Sequence, residues 1–85
     1  MILKETKLKI ENRFKEKYPS KKLNSKTYFC NSKGEWFNLV QMGNKEPWNC
    51  FVLEYDNGED GDLYYPNDYD NFEQMFTNMV KEIES

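Results

Sequence analysis

The stretch EYDNGEDGDLYYPNDYDNFEQMFTNMVKEI, residues 54–83, decides the fold. Its last third reads as an amphipathic helix. Phe72, Met75, Phe76, Met79, Val80 and Ile83 recur at i, i+3, i+4, i+7, i+8 and i+11 and lay an apolar stripe along one side. Asp70 is the expected N-cap, with Glu73 three residues later. Carboxylates at Asp68, Asp70 and Glu73 suit the positive end of the helix dipole. Upstream, Asp56-Asn57-Gly58 is a hairpin signal, lengthened by Glu59, Asp60 and Gly61. Leu63 to Tyr65 is then a short strand that Pro66 confines to a sheet edge.

Working outward, Trp48 to Tyr55 carries Trp48, Cys50 and Val52 on one side and Phe51, Leu53 and Tyr55 on the other. A strand apolar on both sides belongs inside a sheet. Gly43 to Pro47 is a loop, Trp36 to Met42 a strand, Asn31 to Gly34 a turn, and Thr27 to Cys30 a short strand rich in β-branched and aromatic types. Ser20 to Lys26 is polar and basic and reads as a connection. Leu3, Ile10, Phe14 and Tyr18 predict an opening helix that Pro19 stops, in preference to a strand over Lys7 to Glu11. Glu5 with Lys9 and Glu11 with Lys15 are i,i+4 pairs in the favourable order. The order α-β-β-β-(short β)-α has no βαβ crossover. An α+β fold follows: one small domain over residues 1–85, with an antiparallel sheet and two helices packed on one face. The other face is left open, and alternation places some of Tyr28, Trp36, Trp48 and Tyr64 on it.

Charge is segregated along the chain. Residues 1–33 hold ten basic and three acidic side chains, and residues 34–85 hold two basic and twelve acidic, for a net charge of −3. No lysine or arginine lies between Glu46 and Val80, so Glu54, Asp56, Glu59, Asp60, Asp62, Asp68, Asp70 and Glu73 have no counter-charge beside them in sequence. The 85 residues bury only about 60 to 65 per cent of the unfolded surface, and fourteen aromatic side chains make a core feasible. No window reaches the ~18 apolar residues of a membrane span, and the first ten residues lack a secretory signal's apolar run. The expected compartment is cytoplasmic, with Cys30 and Cys50 reduced. In a meander they lie two strands apart, beyond the ~7 Å that a bridge allows.

Absent residue types narrow the chemistry. Without histidine there is no Ser-His or Cys-His nucleophile pair, and two cysteines cannot by themselves complete a structural zinc site. The four glycines stand in turns and form no phosphate loop. Carboxylate catalysis needs a pocket for which so short a chain has little volume. Asp56, Gly58, Asp60, Gly61 and Asp62 echo a calcium loop poorly, with glycine at its third position and Asn67 at its twelfth. A non-enzymatic domain without metal or cofactor is expected.

The α-β-β-β-α order is shared with double-stranded-RNA-binding domains, but that family's lysine cluster at the second helix is replaced here by Asp68, Asp70 and Glu73. Direct nucleic-acid binding is therefore not expected. The acidic array suits the converse role, occupying a Lys- or Arg-lined groove as DNA does. The chain has no alanine, and eleven of its twelve basic residues are lysine, a bias of low-GC bacteria and their phages. Size, acidity, element order and composition together resemble, at the level of architecture and with no shared motif, the small proteins phages use against host defences. Anti-CRISPR proteins that imitate DNA are among them. The resemblance implies an inhibitor of a nucleic-acid-binding host protein, acting as a monomer or homodimer away from membranes. Its contacts are expected at Glu54, Asp56, Glu59, Asp60, Asp62, Asp68, Asp70 and Glu73, with Trp36, Trp48 and Tyr64. The alternative is an antitoxin-like or adaptor subunit that binds through an exposed aromatic sheet face.

Overall fold

Pro19 ends the first helix as expected. The computed structural model, which describes residues 3–43 and 49–85, places α1 at Leu3–Lys17, with Tyr18 N–H still donating to the Phe14 carbonyl at 2.8 Å. Five strands follow, β1 (Ser20–Leu23), β2 (Lys26–Cys30), β3 (Trp36–Met42), β4 (Cys50–Tyr55) and β5 (Asp60–Tyr64). A short 3-10 turn, Pro66–Asp68, leads to α2 (Phe72–Ile83). The strands form one antiparallel sheet in the order β1-β2-β3-β4-β5, so the two helices stand at the ends of an uninterrupted meander. Most of the predicted Gly43 to Pro47 loop, and Trp48 at the predicted start of the third strand, lie outside the described residues.

Three local expectations are corrected. Ser20 to Lys26 is not a plain connection. Asn24 and Ser25 take left-handed φ values of 52° and 68°, the two-residue turn that folds β1 back on β2 with Lys21 opposite Tyr28. Asn-Gly announces such a turn clearly, whereas serine rarely adopts positive φ and its signal is weak. The cap of α2 is Asn71 and not Asp70. Asn71 Oδ1 accepts from Gln74 N–H at 2.9 Å, and Gln74 Oε1 accepts from Asp70 N–H at 2.8 Å. Both Asp70-x-x-Glu73 and Asn71-x-x-Gln74 fit a capping pattern, but Glu73 is drawn away to Arg13. The i,i+4 pairs of α1 do not close. Arg13 to Glu73 is the one ion pair among the described residues, and Lys9 stands over the Phe72 ring at 4.2 Å.

Both helices cover the same face of the sheet. Ile10 and Phe14 from α1, and Met75, Phe76, Met79 and Ile83 from α2, join Phe29, Phe37, Leu39, Phe51, Leu53 and Tyr64 in one core. Phe14 is its hub. Its ring lies 5.3 Å from Phe29, 5.6 Å from Phe37 and 5.4 Å from Phe76 between centroids, and the Phe29 and Phe37 contacts are edge-on, as ring quadrupoles prefer. Alternation then turns Tyr28, Trp36, Val40, Val52 and Leu63 to the helix-free face. Cys30 and Cys50 are unbridged, two strands apart.

Asn31 fastens the β2–β3 turn to the end of α2. Its Oδ1 accepts from the N–H groups of Lys33 and Glu35, and its Nδ2 donates to Glu35 Oε1 and to the Ile83 carbonyl at 2.8 Å. That carbonyl belongs to the last helical turn, where no intrahelical donor remains. No described helix is long and apolar enough to cross a membrane.

Candidate functional site

The β4–β5 hairpin is a rigid mount for charge. Asp56-Asn57-Gly58 forms its loop, closed by Tyr55 N–H to the Glu59 carbonyl at 2.9 Å and braced by Glu59 N–H to Asn57 Oδ1. Gly58, at φ +89°, supplies the left-handed residue such a loop needs. Asp56 N–H also donates to the Trp36 carbonyl at 3.0 Å, tying the tip to β3. Asp56, Glu59, Asp60 and Asp62 are all exposed and none has an ion-pair partner among the described residues. Glu54 stands directly across the ladder from Asp60, an arrangement of like charges that costs stability and therefore calls for a counter-charge.

Folding adds carboxylates to this end that the linear sequence does not group. Glu82 comes from the last turn of α2 and Glu35 from the start of β3. Together with Glu59, Asp60 and Asp62 they line a hollow of about 290 Å³ in which Lys33 is the only cation among the described residues. Glu82 is the organiser. It accepts from Tyr55 Oη at 2.6 Å, Tyr64 Oη at 2.7 Å and Asp62 N–H at 2.9 Å. Burial, and then the bond to Glu82, push both phenols well above the usual tyrosine range. Glu84 lies nearby, its carboxyl held below the usual range chiefly by the Ser32 hydroxyl at 2.5 Å.

The acidic residues nevertheless do not form one continuous strip. Asp68, Asp70 and Glu73 lie at the start of α2, a helix of twelve residues and so about 18 Å from the hairpin end. The intervening outer face carries Thr77, Asn78 and Lys81. In this second group Glu73 is neutralised. Arg13 Nη1 donates to its Oε2 at 2.6 Å, which lowers the carboxyl and raises the guanidinium.

The aromatic candidates separate. Trp36 is half-buried on the helix-free face with Lys21 Nζ 4.1 Å above its ring. Tyr64 is only 3 % exposed on the covered face and shapes the acidic end from beneath. Trp48 is outside the described residues. Glu35 and Glu82 escape sequence reasoning. The one signal for Glu82 is Gly61, a glycine within an edge strand, which marks a close approach by another group. A Cβ at Gly61 would fall 2.0 Å from Glu82 Oε2.

Chemically the hairpin end offers exposed carboxylate acceptors without an ion-pair partner among the described residues. Among the described residues no group of three or more Cys, Asp or Glu side chains is placed to hold a metal ion. No protein-family model, curated protein or solved structure matches the chain.

Proposed function

We propose that this chain is a protein-interaction domain whose acidic hairpin end, Asp56, Glu59, Asp60 and Asp62 with Glu35 and Glu82, occupies a basic groove of a partner that ordinarily holds nucleic acid. It is an inhibitor of the kind phages and mobile elements direct at host defence, anti-CRISPR-like in its use of DNA-like charge. The observation that carries the reading is the set of four exposed hairpin carboxylates, without an ion-pair partner among the described residues, on a hydrogen-bonded mount. Duplex DNA shows one charge per ~1.7 Å of axis, and a dense local array is what such a groove recognises. The pairing of Glu73 with Arg13 moves the centre of the surface away from the start of α2. Steering between the two surfaces makes association fast and salt-dependent.

Capture of a nucleic-acid-binding partner tests the proposal. The wild-type chain should hold the partner at ~50 mM salt, release it by ~500 mM, and be displaced by duplex DNA. The combined Asp56→Lys, Asp60→Lys and Asp62→Lys variant should not capture it. Capture by that variant, or binding indifferent to both salt and DNA, refutes the proposal. One observation favours a second reading, an adaptor or antitoxin-like subunit. Leu23, Met42 and Leu63, at 54 %, 47 % and 49 % exposed, stand on the sheet face that also bears Trp36. Under that reading Trp36→Ala abolishes capture and the charge reversals leave it intact.

A further inference from the structure

A second site lies between α1, the β1–β2 hairpin and β3. The β2–β3 ladder runs only through Phe29/Phe37 and Cys30/Trp36, although β3 continues to Met42 and β2 begins at Lys26, before Phe29. Beyond Phe37 the β1–β2 hairpin parts from β3 and leaves a cleft of about 580 Å³, walled on its third side by α1. In an antiparallel sheet the main-chain groups of alternate residues turn to alternate neighbours. Phe37 turns to β2, so Leu39 and Gln41 turn the same way, into the cleft, where no strand meets them. Four lysines surround the opening, Lys7 and Lys15 from α1 and Lys22 and Lys26 from the hairpin, against Glu11 and Glu54. None of the four has an ion-pair partner among the described residues. Asn38, 7 % exposed, also lines the cleft.

We infer that this cleft binds an extended acidic peptide segment, which adds as a strand to the free edge of β3 while its carboxylates meet the four lysines. Unpaired main-chain groups favour a peptide strand over a nucleic acid strand, because only the peptide can continue the ladder. Among the described residues no aromatic ring lines the cleft to stack a base, and Glu11 and Glu54 oppose a uniform polyanion. Leu8, 57 % exposed at the rim, and Val40 offer apolar seats for the side chains between the acids. The cleft shares no lining residue with the acidic hollow.

Titration of the full chain at low salt with a peptide of alternating Glu and Val, followed through the backbone amide signals, tests the assignment. Shifts and slowed exchange are expected at Leu39 and Gln41. Affinity should fall roughly three- to tenfold in the Lys22→Gln, Lys26→Gln double variant, whose sites are exposed and leave the fold intact. It should fall at least tenfold when the peptide's alternate amides are N-methylated. The Asp56→Lys, Asp62→Lys variant, at residues outside the cleft lining, should bind the peptide as wild type does, which separates this site from the proposed inhibitory one. Four outcomes overturn the inference: unperturbed Leu39 and Gln41 amides, undiminished binding of the N-methylated peptide, tighter binding of oligothymidylate at the same residues, and a salt-sensitive dimer of the protein alone that the lysine double variant abolishes.

Discussion

Replacing Glu82 by alanine should cost about 2–4 kcal/mol, more than an ordinary surface position allows. The carboxylate accepts three hydrogen bonds, from Tyr55 Oη, Tyr64 Oη and Asp62 N–H, at 2.6, 2.7 and 2.9 Å. A hydrogen bond to a charged group contributes about 1.5–3 kcal/mol when dry. Glu82 is only half-buried and water replaces part of each bond, so about half of that sum is the realistic loss. A domain of this length has about 4–13 kcal/mol in all, so the variant forfeits a large share. With a urea slope of about 1.5 kcal/mol per molar, the midpoint should fall by about 2 M. Glu82→Gln keeps the reach and one acceptor oxygen and should cost only about 1 kcal/mol. Gly61→Ala supplies an internal check, since its Cβ displaces the same carboxylate. Glu82→Ala added to Gly61→Ala should cost little more than either alone. A midpoint for Glu82→Ala within about 0.5 kcal/mol of wild type, or fully additive losses in the double variant, refutes the reasoning.

Other outcomes follow from the same contacts. Asn31→Ala removes four hydrogen bonds at a residue only 5 % exposed and should cost about 3 kcal/mol in urea unfolding. Ser25→Gly should raise stability by about 0.5–1 kcal/mol, because Ser25 stands at φ 68°, where glycine is at ease. The lowered carboxyls of Glu73 and Glu84 contribute stability that is in place above the ordinary carboxylate range and lost as pH falls through their shifted values. The thermal unfolding midpoint should therefore fall on acidification, and Arg13→Gln should abolish the shift at Glu73. Tyr55 and Tyr64 act in the opposite sense. Their raised pKa values give stability that is full below about 10 and lost as pH rises beyond it, so tyrosinate absorbance should lag until the chain unfolds.

The helices and the strands with strong apolar faces were legible because their pattern is their packing. The spacing of Met75, Phe76, Met79 and Ile83 is the buried side of α2, and Phe51, Leu53 and Tyr55 share one side of β4 as read. What sequence could not convey was long-range. β1 is exposed along its whole length and has no apolar alternation to betray it, so only its Asn24-Ser25 turn creates it. Glu82 and Glu35 lie far from the hairpin in sequence and reach it through the closure of α2 and the path of β3. Arg13 and Glu73 are sixty residues apart, and their pairing removes one carboxylate that sequence counts as free. The lysine cleft depends on where a ladder stops, which side-chain types do not encode.

One ring decides how the molecule comes apart. Phe14 is held in common by α1, the sheet and α2, through Phe29, Phe37 and Phe76. Neither helix can lift from the sheet without stripping the other of a partner, so the two ends of the chain open together as one cooperative unit. Hydrogen exchange should therefore show the amides of α1, β3 and α2 following one shared opening equilibrium.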